Sequence, residues 1–397
     1  MIQQAQPPLL CLAAMFKNEA ATVRQTLESV KPFIDRWTVL DTRSTDDTTG
    51  IVLRTLRVCE NPVVGMLHND DFVDYATTRN RVLELAEAEN AVFTLTMSAD
   101  ETLSGGEALR AFLEAHRYSP EGAYCVMMQT GSRMWPYSRV LRTGAGWRYV
   151  GKIHERPVGP NGEVAGPLIP GVLITHTPSD PERKIARLRD FDLPLLTQEV
   201  NDESKSLEER AHAMFFLAET HASLAGWCPK DSSGEFVVGG QWLSHQMSAM
   251  AYYFRYAQIA ENPKSPARDH DKAMYALFLY YHIAEKTNLY TSAELVARLE
   301  MFVSAAPKLA EARFMLADHS ARLDVRQGLY HALQAVDVAK EARENPTHEA
   351  MDNRIEWLSL MVASQCAKQL KKDQQAKELA ERGIAAGGPR SAFEGAL

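Results

Sequence analysis

Residues 91–103 read AVFTLTMSADETL, and the fold turns on how this stretch is taken. Residues 92–97 form an apolar run of strand length with β-branched and aromatic members, the pattern of a strand buried on both faces. The run then breaks into Ser98, Ala99, Asp100 and Glu101. Adjacent carboxylates at the end of a buried strand are costly to desolvate, so they need a partner or a task. At the carboxyl end of a parallel strand, carboxylates can hold a divalent cation by hard-oxygen ligation. That edge is also where open α/β sheets bind ligands. The alternative is that Asp100 or Glu101 caps the next helix.

Upstream, the same strand-to-polar switch recurs. Residues 9–15 (LLCLAAM) read as a strand that stops at Lys17, Asn18 and Glu19. Val23, Leu27 and Val30 then fall at helical spacing within 20–30, and Pro32 ends that helix. A second short strand, 37–40, stops at Asp41. The loop 42–48 (TRSTDDT) can cap a helix over 50–56. This strand–helix alternation is the rhythm of a parallel sheet. A third strand is expected over 63–67, followed by a helix that runs through Ala88 and carries Arg79 and Asn80 among apolar neighbours. Downstream, 123–129, 139–142 and 172–175 read as strands, the last ending at His176. Between them, 147–156 (WRYVGKIHER) gathers aromatic, basic, imidazole and acidic groups.

Near Ser179 the texture changes, and from about Lys184 onward the pattern is helical. Helices are expected over 181–200, 207–225, 241–261, 267–286, 292–305, 308–323, 327–344, 348–371 and 374–386. Breakers separate them, among them Cys228-Pro229, Asn262-Pro263, Ala306-Pro307, Asn345-Pro346 and Gly387-Gly388-Pro389. Paired helices at a spacing of roughly 34 residues suggest tetratricopeptide-like stacking. Such a unit can bind an acceptor peptide on a concave face or form a homodimer.

Composition sets outer limits. With 397 residues, 45% of them hydrophobic and 24% charged, the chain has the profile of a soluble protein with more than one domain. A formal net charge of -8 disfavours wholesale nucleic-acid binding. The five cysteines are scattered, with no metal-knuckle spacing, and Cys11, Cys59 and Cys125 lie in apolar runs as expected packing residues. The N-terminal residues lack a basic signal-peptide region, and no uncharged apolar run approaches the roughly 18 residues of a spanning helix. A reducing cytoplasm is the expected compartment.

In this order the landmarks KNE (17–19), DTRSTDDT (41–48), ATTRN (76–80), SADE (98–101) and GKIHE (151–155) with the later His176 resemble a family 2 glycosyltransferase. The resemblance implies an α/β GT-A domain, Rossmann-like with a mostly parallel sheet, over 1–180. The all-α helical-repeat unit over 181–397 has a counterpart, in architecture only, in peptide S-glycosyltransferases of bacteriocin pathways. It further implies that Asp41 reads the uracil or ribose of a UDP-sugar, with Asn18, Glu19 and Arg43 in the same pocket. Arg79 would face the base or pyrophosphate, and Asp100 and His176 would hold Mn2+ or Mg2+. Ser98 stands where the family usually has an aspartate near the donor ribose. Glu155, with His154 beside it, is the expected base for an acceptor on a peptide, glycan or modified nucleobase.

Plainer roles compete. Asp41 can be a helix cap, Arg79 can pair with Asp70 or Asp74, and His176 can simply end a strand. Lys152, His154 and Glu155 can form a surface ion cluster. Trp135, Trp147, Tyr149 and Trp227 can stack on a sugar or pack as core. At the level of function, Ser98 feeds a second reading, an inactive nucleotide-sugar fold serving as a helical-repeat adaptor. A nucleotidyltransferase would need a Gly-rich loop after the first strand, which KNE is not.

Overall fold

The structure, a computed structural model, describes residues 6–163, 165–177, 181–228, 241–344 and 351–397, with the side chains of 181, 183 and 351 excepted. The expected breakers at Pro229 and Asn345-Pro346, the change of texture at Ser179 and the helix start at His348 lie outside the described residues. The chain divides into two compact units, Met1–Pro181 and Glu182–Leu397.

The first unit is built on β1 (Leu10–Phe16), α1 (Val23–Val30), β2 (Arg36–Asp41), α2 (Thr48–Leu56), β3 (Val64–Asn69), α3 (Tyr75–Glu87) and β4 (Phe93–Met97). There follow β5 (Glu101–Ser104), α4 (Gly106–Ala115), β6 (Ala123–Thr130), β7 (Arg133–Arg142), β8 (Arg148–Val150), β9 (Arg156–Val158) and β10 (Leu168–His176). The main sheet has the order β3-β2-β1-β4-β7-β6-β10-β5. Strands β3, β2, β1 and β4 are mutually parallel, as are β6 and β10, whereas β7 runs antiparallel to both neighbours. Strands β8 and β9 form a separate antiparallel pair. This is the α/β, mostly parallel sheet that the strand–helix rhythm predicts.

Burial explains the strand sequences. Every residue of β4 is buried, as are all but Met15 of β1 and all but Arg36 of β2, so these strands read as continuous apolar runs. Trp37 and Phe93 are fully buried, each worth about 1.5–3 kcal/mol of removed apolar surface. The edge strand β3 instead leaves Val64 and Met66 exposed. Helix α1 turns Val23, Thr26, Leu27 and Val30 inward, the spacing seen in its sequence.

Several local expectations are corrected. Neither Asp100 nor Glu101 caps the following helix: Glu101 opens β5, and Gly105 is the N-cap of α4. Gly105 has φ +79°, and a Cβ there would lie 2.0 Å from Gly171 O, so the turn accepts only glycine. Strand β7 starts at Arg133 rather than Arg139, because β6 turns directly back on it. Cys11 and Cys125 are buried, and burial pushes the Cys11 thiol up to about 12. Cys59 is only half-buried and accepts a hydrogen bond from Lys31 Nζ.

The second unit is helical. Its helices are α5 (Pro181–Arg187), α6 (Leu193–Asn201), α7 (Leu207–Gly226), α8 (Gln241–Glu261), α9 (His270–Lys286), α10 (Ser292–Ala305), α11 (Ala310–Leu323), α12 (Val325–Glu344), α13 (Ile355–Gln369) and α14 (Asp373–Ala385). A π-helical turn, Leu188–Asp192, joins α5 to α6 where one straight helix is expected. The starts of α7 and α10 are set by capping boxes, Ser206 with Glu209 and Thr291 with Glu294. Consecutive helices pack on one another from α7 to α9 and from α10 to α14, and their buried positions are rich in alanine, which permits close approach.

Candidate active site

The strand order reverses between β1 and β4: β2 and β3 lie to one side of β1, whereas β4 opens the other. Loops leaving the carboxyl ends of two such strands diverge, and a crevice opens between them. Asn18 and Glu19 follow β1, Asp41 ends β2, and Ser98 and Asp100 follow β4, so the sheet brings these residues to one edge.

The loops after β1 and β2 are stapled to each other. Asn18 N donates to Ser44 Oγ at 2.9 Å, and Thr45 N donates back to Asn18 Oδ1 at 2.7 Å. Glu19 N donates to Thr48 Oγ1 at 2.7 Å. Asn18 itself has φ 54°, a left-handed conformation that asparagine tolerates better than most residues. Asp41 is 1% exposed. Its Oδ2 accepts from Ser44 N at 2.9 Å and from Asn69 Nδ2 at 3.3 Å, whereas its Oδ1 is buried with no partner among the described residues. Asp41 is therefore no helix cap: the N-cap of α2 is Asp47. An unpaired buried carboxylate oxygen costs about 1–3 kcal/mol or more, and a ligand N–H or O–H would satisfy it. Arg43 points elsewhere, pairing with Asp71 at 2.9 Å on the exposed side of its loop.

Beyond β4, both carboxylates have partners. Strands β5 and β10 pair with His176 opposite Glu101, which sets His176 beside Asp100. His176 Nε2 lies 2.9 Å from Asp100 Oδ2, and its Nδ1 lies 3.3 Å from Thr130 Oγ1. Thr177 N donates to Asp100 O at 3.0 Å. Burial alone would raise the Asp100 carboxyl, but the His176 hydrogen bond and charge outweigh it and hold the group below its ordinary value. A carboxylate and an imidazole at this spacing suit a divalent cation, and Thr130 supplies the outer contact that orients a ligating imidazole. Helix α1 steadies the turn: Thr26 Oγ1 donates to Ala99 O at 2.7 Å, and Leu103 N donates to Ser29 Oγ at 3.0 Å.

Glu101 turns inward. It is 3% exposed, pairs with Arg139 at 2.5 Å and accepts Ser98 N–H at 2.7 Å. The ion pair thus fixes the backbone of Ser98, two residues before Asp100.

Arg79 and Asn80, the polar residues of α3, each have a defined task. Asn80 clamps the Tyr149 backbone, donating to its O at 2.9 Å and accepting from its N at 2.7 Å. Arg79 pairs with Glu155 at 2.5 Å, lies over the Tyr149 ring at 5.4 Å and donates to Ser98 Oγ at 3.4 Å. The expected alternatives for Arg79 fail: Asp74 caps α3, and Asp70 faces Arg81 at 3.9 Å. Burial would lower the guanidinium, but the Glu155 charge more than compensates and holds it above its ordinary value. Glu155 belongs to no surface ion cluster, since its side chain is only 12% exposed. His154 is half-buried with φ 51°. Trp147 and Tyr149 are core residues, and Trp227 is exposed.

Sequence reasoning missed Arg139, Thr130 and Tyr149 as parts of this network. Arg139 stands 38 positions from Glu101, and only the β4–β7–β6 pairing brings it near. Asn80 gave a signal as a polar residue on an otherwise apolar helix.

No family model matches the chain. Over 184 residues the chain is 24% identical to the SPbeta prophage-derived glycosyltransferase SunS of Bacillus subtilis (strain 168). The match covers 45% of this chain and 42% of that protein, and the same figures hold for glycosyltransferase SunS of Bacillus phage SPbeta. It therefore spans less than half the length of these curated relatives. Among solved structures, the chain is similar to S. aureus TarS 1-349 in complex with UDP-GlcNAc, with 12% identity, 86% of this chain and 93% of that one covered, and a TM-score of 0.35. It is also similar to the mannosyltransferase PcManGT from Pyrobaculum calidifontis in complex with GDP-Man and Mn2+, with 13% identity, 76% and 87% covered, and a TM-score of 0.37. Scores of this size leave the fold to be argued from the sheet itself.

Proposed function

We propose that the chain is a metal-dependent, inverting glycosyltransferase. It would move a sugar from a nucleotide-sugar, a UDP-sugar first among them, to a hydroxyl or thiol of a peptide, glycan or modified nucleobase. The observation that carries this reading is the unpaired, buried Oδ1 of Asp41 on the same sheet edge as the Asp100–His176 pair. A buried acceptor asks for a donor, and the imide N–H of a uracil or a ribose hydroxyl is one. The SunS relatives, themselves named glycosyltransferases, support the same class.

Asp100 and His176 are the residues that would hold Mn2+ or Mg2+, with Asp100 offering the hard oxygen. A bound dication supplies charge neutralisation for the diphosphate leaving group. Arg79, charged and half-buried beside Ser98, adds fixed positive charge that needs little reorganisation as the leaving group departs. In the inverting reaction the acceptor oxygen or sulfur attacks the anomeric carbon opposite the diphosphate, and its proton passes to Glu155 or His154. The ion pair with Arg79 occupies one carboxylate oxygen of Glu155, and His154, the preceding residue, is the alternative acceptor of the proton.

The inactive-adaptor reading rests on Ser98 alone. Its surroundings are intact: the backbone is held by Glu101 and the hydroxyl accepts from Arg79.

The test is a thermal-shift panel of UDP- and GDP-sugars, with and without Mn2+, on wild type and Asp100→Ala. A ligand that binds the native state raises the melting temperature by mass action. A Mn2+-dependent shift with one nucleotide-sugar, absent in Asp100→Ala, supports the reading and names the donor. No shift with any nucleotide removes the donor site. Binding without hydrolysis or transfer favours the adaptor.

A further inference from the structure

In the helical unit, α9 and α11 bring an imidazole and two carboxylates to one point. One ligand atom each from Glu285, Asp318 and His319 lies within 4.8 Å of the others. The His319 side chain is 3% exposed. Its Nε2 stands 3.0 Å from Glu285 Oε1, and its Nδ1 stands 3.2 Å from Ser292 Oγ at the start of α10. With the proton on Nδ1 and donated to Ser292, the Nε2 lone pair faces a carboxylate oxygen. That contact is repulsive, and a cation seated between the two atoms would relieve it. A ring nitrogen held by an outer oxygen while the other faces carboxylates is the usual setting of a ligating histidine. In the opposite tautomer Nε2–H donates to Glu285, and no cation is called for.

Charge points the same way. His282 Nδ1 also faces Glu285 Oε2, at 3.8 Å. The competing cation is Arg322, bonded to Asp318 and 3.9 Å from Glu285. Its side chain is 54% exposed and can swing into solvent. One guanidinium leaves the two carboxylates with a net negative charge, whereas a dication neutralises both.

We propose that Glu285, Asp318 and His319 form a binding site for a divalent transition-metal ion that ties α9 to α11. A mixed nitrogen and oxygen donor set suits Zn2+ or Co2+. The site is separate from Asp100 and His176 and does not depend on the proposed sugar transfer.

The full-length protein, stripped with chelator, is titrated calorimetrically with Zn2+ and followed by visible absorption with Co2+. The variants are His319→Gln, Asp318→Asn, Arg322→Gln and the double variant Asp100→Ala with His176→Ala. The expected result is a binding event that survives in the double variant. It weakens at least about tenfold in His319→Gln and Asp318→Asn and tightens in Arg322→Gln, where the competing cation is gone. The proposal is overturned by a double variant that binds no metal, or by binding that ignores His319 and Asp318. Should the buried His319→Gln fail to fold, the half-buried Asp318→Asn carries the test.

Discussion

Replacing Glu101 by alanine removes one half of a buried ion pair and strips the Ser98 amide of its acceptor. The Arg139 side chain is 11% exposed and Glu101 3%, so water cannot take over as partner. Breaking a buried pair by deleting one partner costs about 3–5 kcal/mol, because the remaining charge stays buried. Glu101→Gln keeps one acceptor oxygen, for Arg139 or for Ser98, and sets an amide N–H against the other donor, so it should recover only part of that loss. The double variant Glu101→Leu with Arg139→Met removes both charges and should fall well short of the sum of the single losses. The two units need not unfold together, so a global melt is a blunt probe. Hydrogen exchange read by mass spectrometry on peptides covering β1 and β4 reports the sheet directly. A loss of about 3 kcal/mol appears as a drop on the order of 100-fold in protection there. Should Glu101→Ala change protection in β4 by less than about threefold, under roughly 1 kcal/mol, the pair is not what holds the Ser98–Asp100 turn, and the reasoning fails.

Other outcomes follow from the same geometry. Asp41→Asn should weaken nucleotide binding about tenfold or more, since a hydrogen bond to a charged group is worth about 1.5–3 kcal/mol; isothermal calorimetry with UDP and GDP reads it, and unchanged affinity would remove Asp41 from the donor site. Asn80→Ala breaks both bonds to the Tyr149 backbone and should cost about 1–3 kcal/mol, visible as faster exchange in β8. Glu155→Gln should lower kcat while leaving Mn2+ binding intact, and an unchanged kcat would pass the proton to His154 alone. Because the folded Asp100 carboxyl titrates below its unfolded value, it contributes stability that is complete above the unfolded value and lost as pH falls through the folded one. In chelator-treated protein, Asp100→Asn should therefore flatten the acid limb of the stability curve without changing its shape at neutral pH.

The layout of the chain was legible because it rests on short-range rules. Apolar runs of strand length became β1, β2 and β4, and the spacing of Val23, Leu27 and Val30 became the buried face of α1. The helix starts expected at 207 and 292 are where α7 and α10 begin, behind the capping boxes Ser206–Glu209 and Thr291–Glu294. The polar breaks after those strands also marked the edge where Asn18, Asp41 and Asp100 now stand. Strand β5 was illegible: four residues, ETLS, carry no usable alternation, and they become a strand only by pairing with β10.

The partners of the charged groups were decided by tertiary structure alone. The sequence marks Asp100, Glu101, Arg79 and Glu155 as charges in apolar surroundings, which must be paired because desolvation is costly. The residues themselves cannot say with which group, and only the family resemblance had set Asp100 with His176. Asp100 meets His176 because β5 and β10 align in one register, and Glu101 meets Arg139 because β7 inserts antiparallel beside β4. Arg79 meets Glu155 across 76 positions, while the nearer Asp70 and Asp74 face other groups. Helical and strand periodicities are set within a few residues along the chain, but the partner of a buried charge is set by which strands lie side by side and in what register.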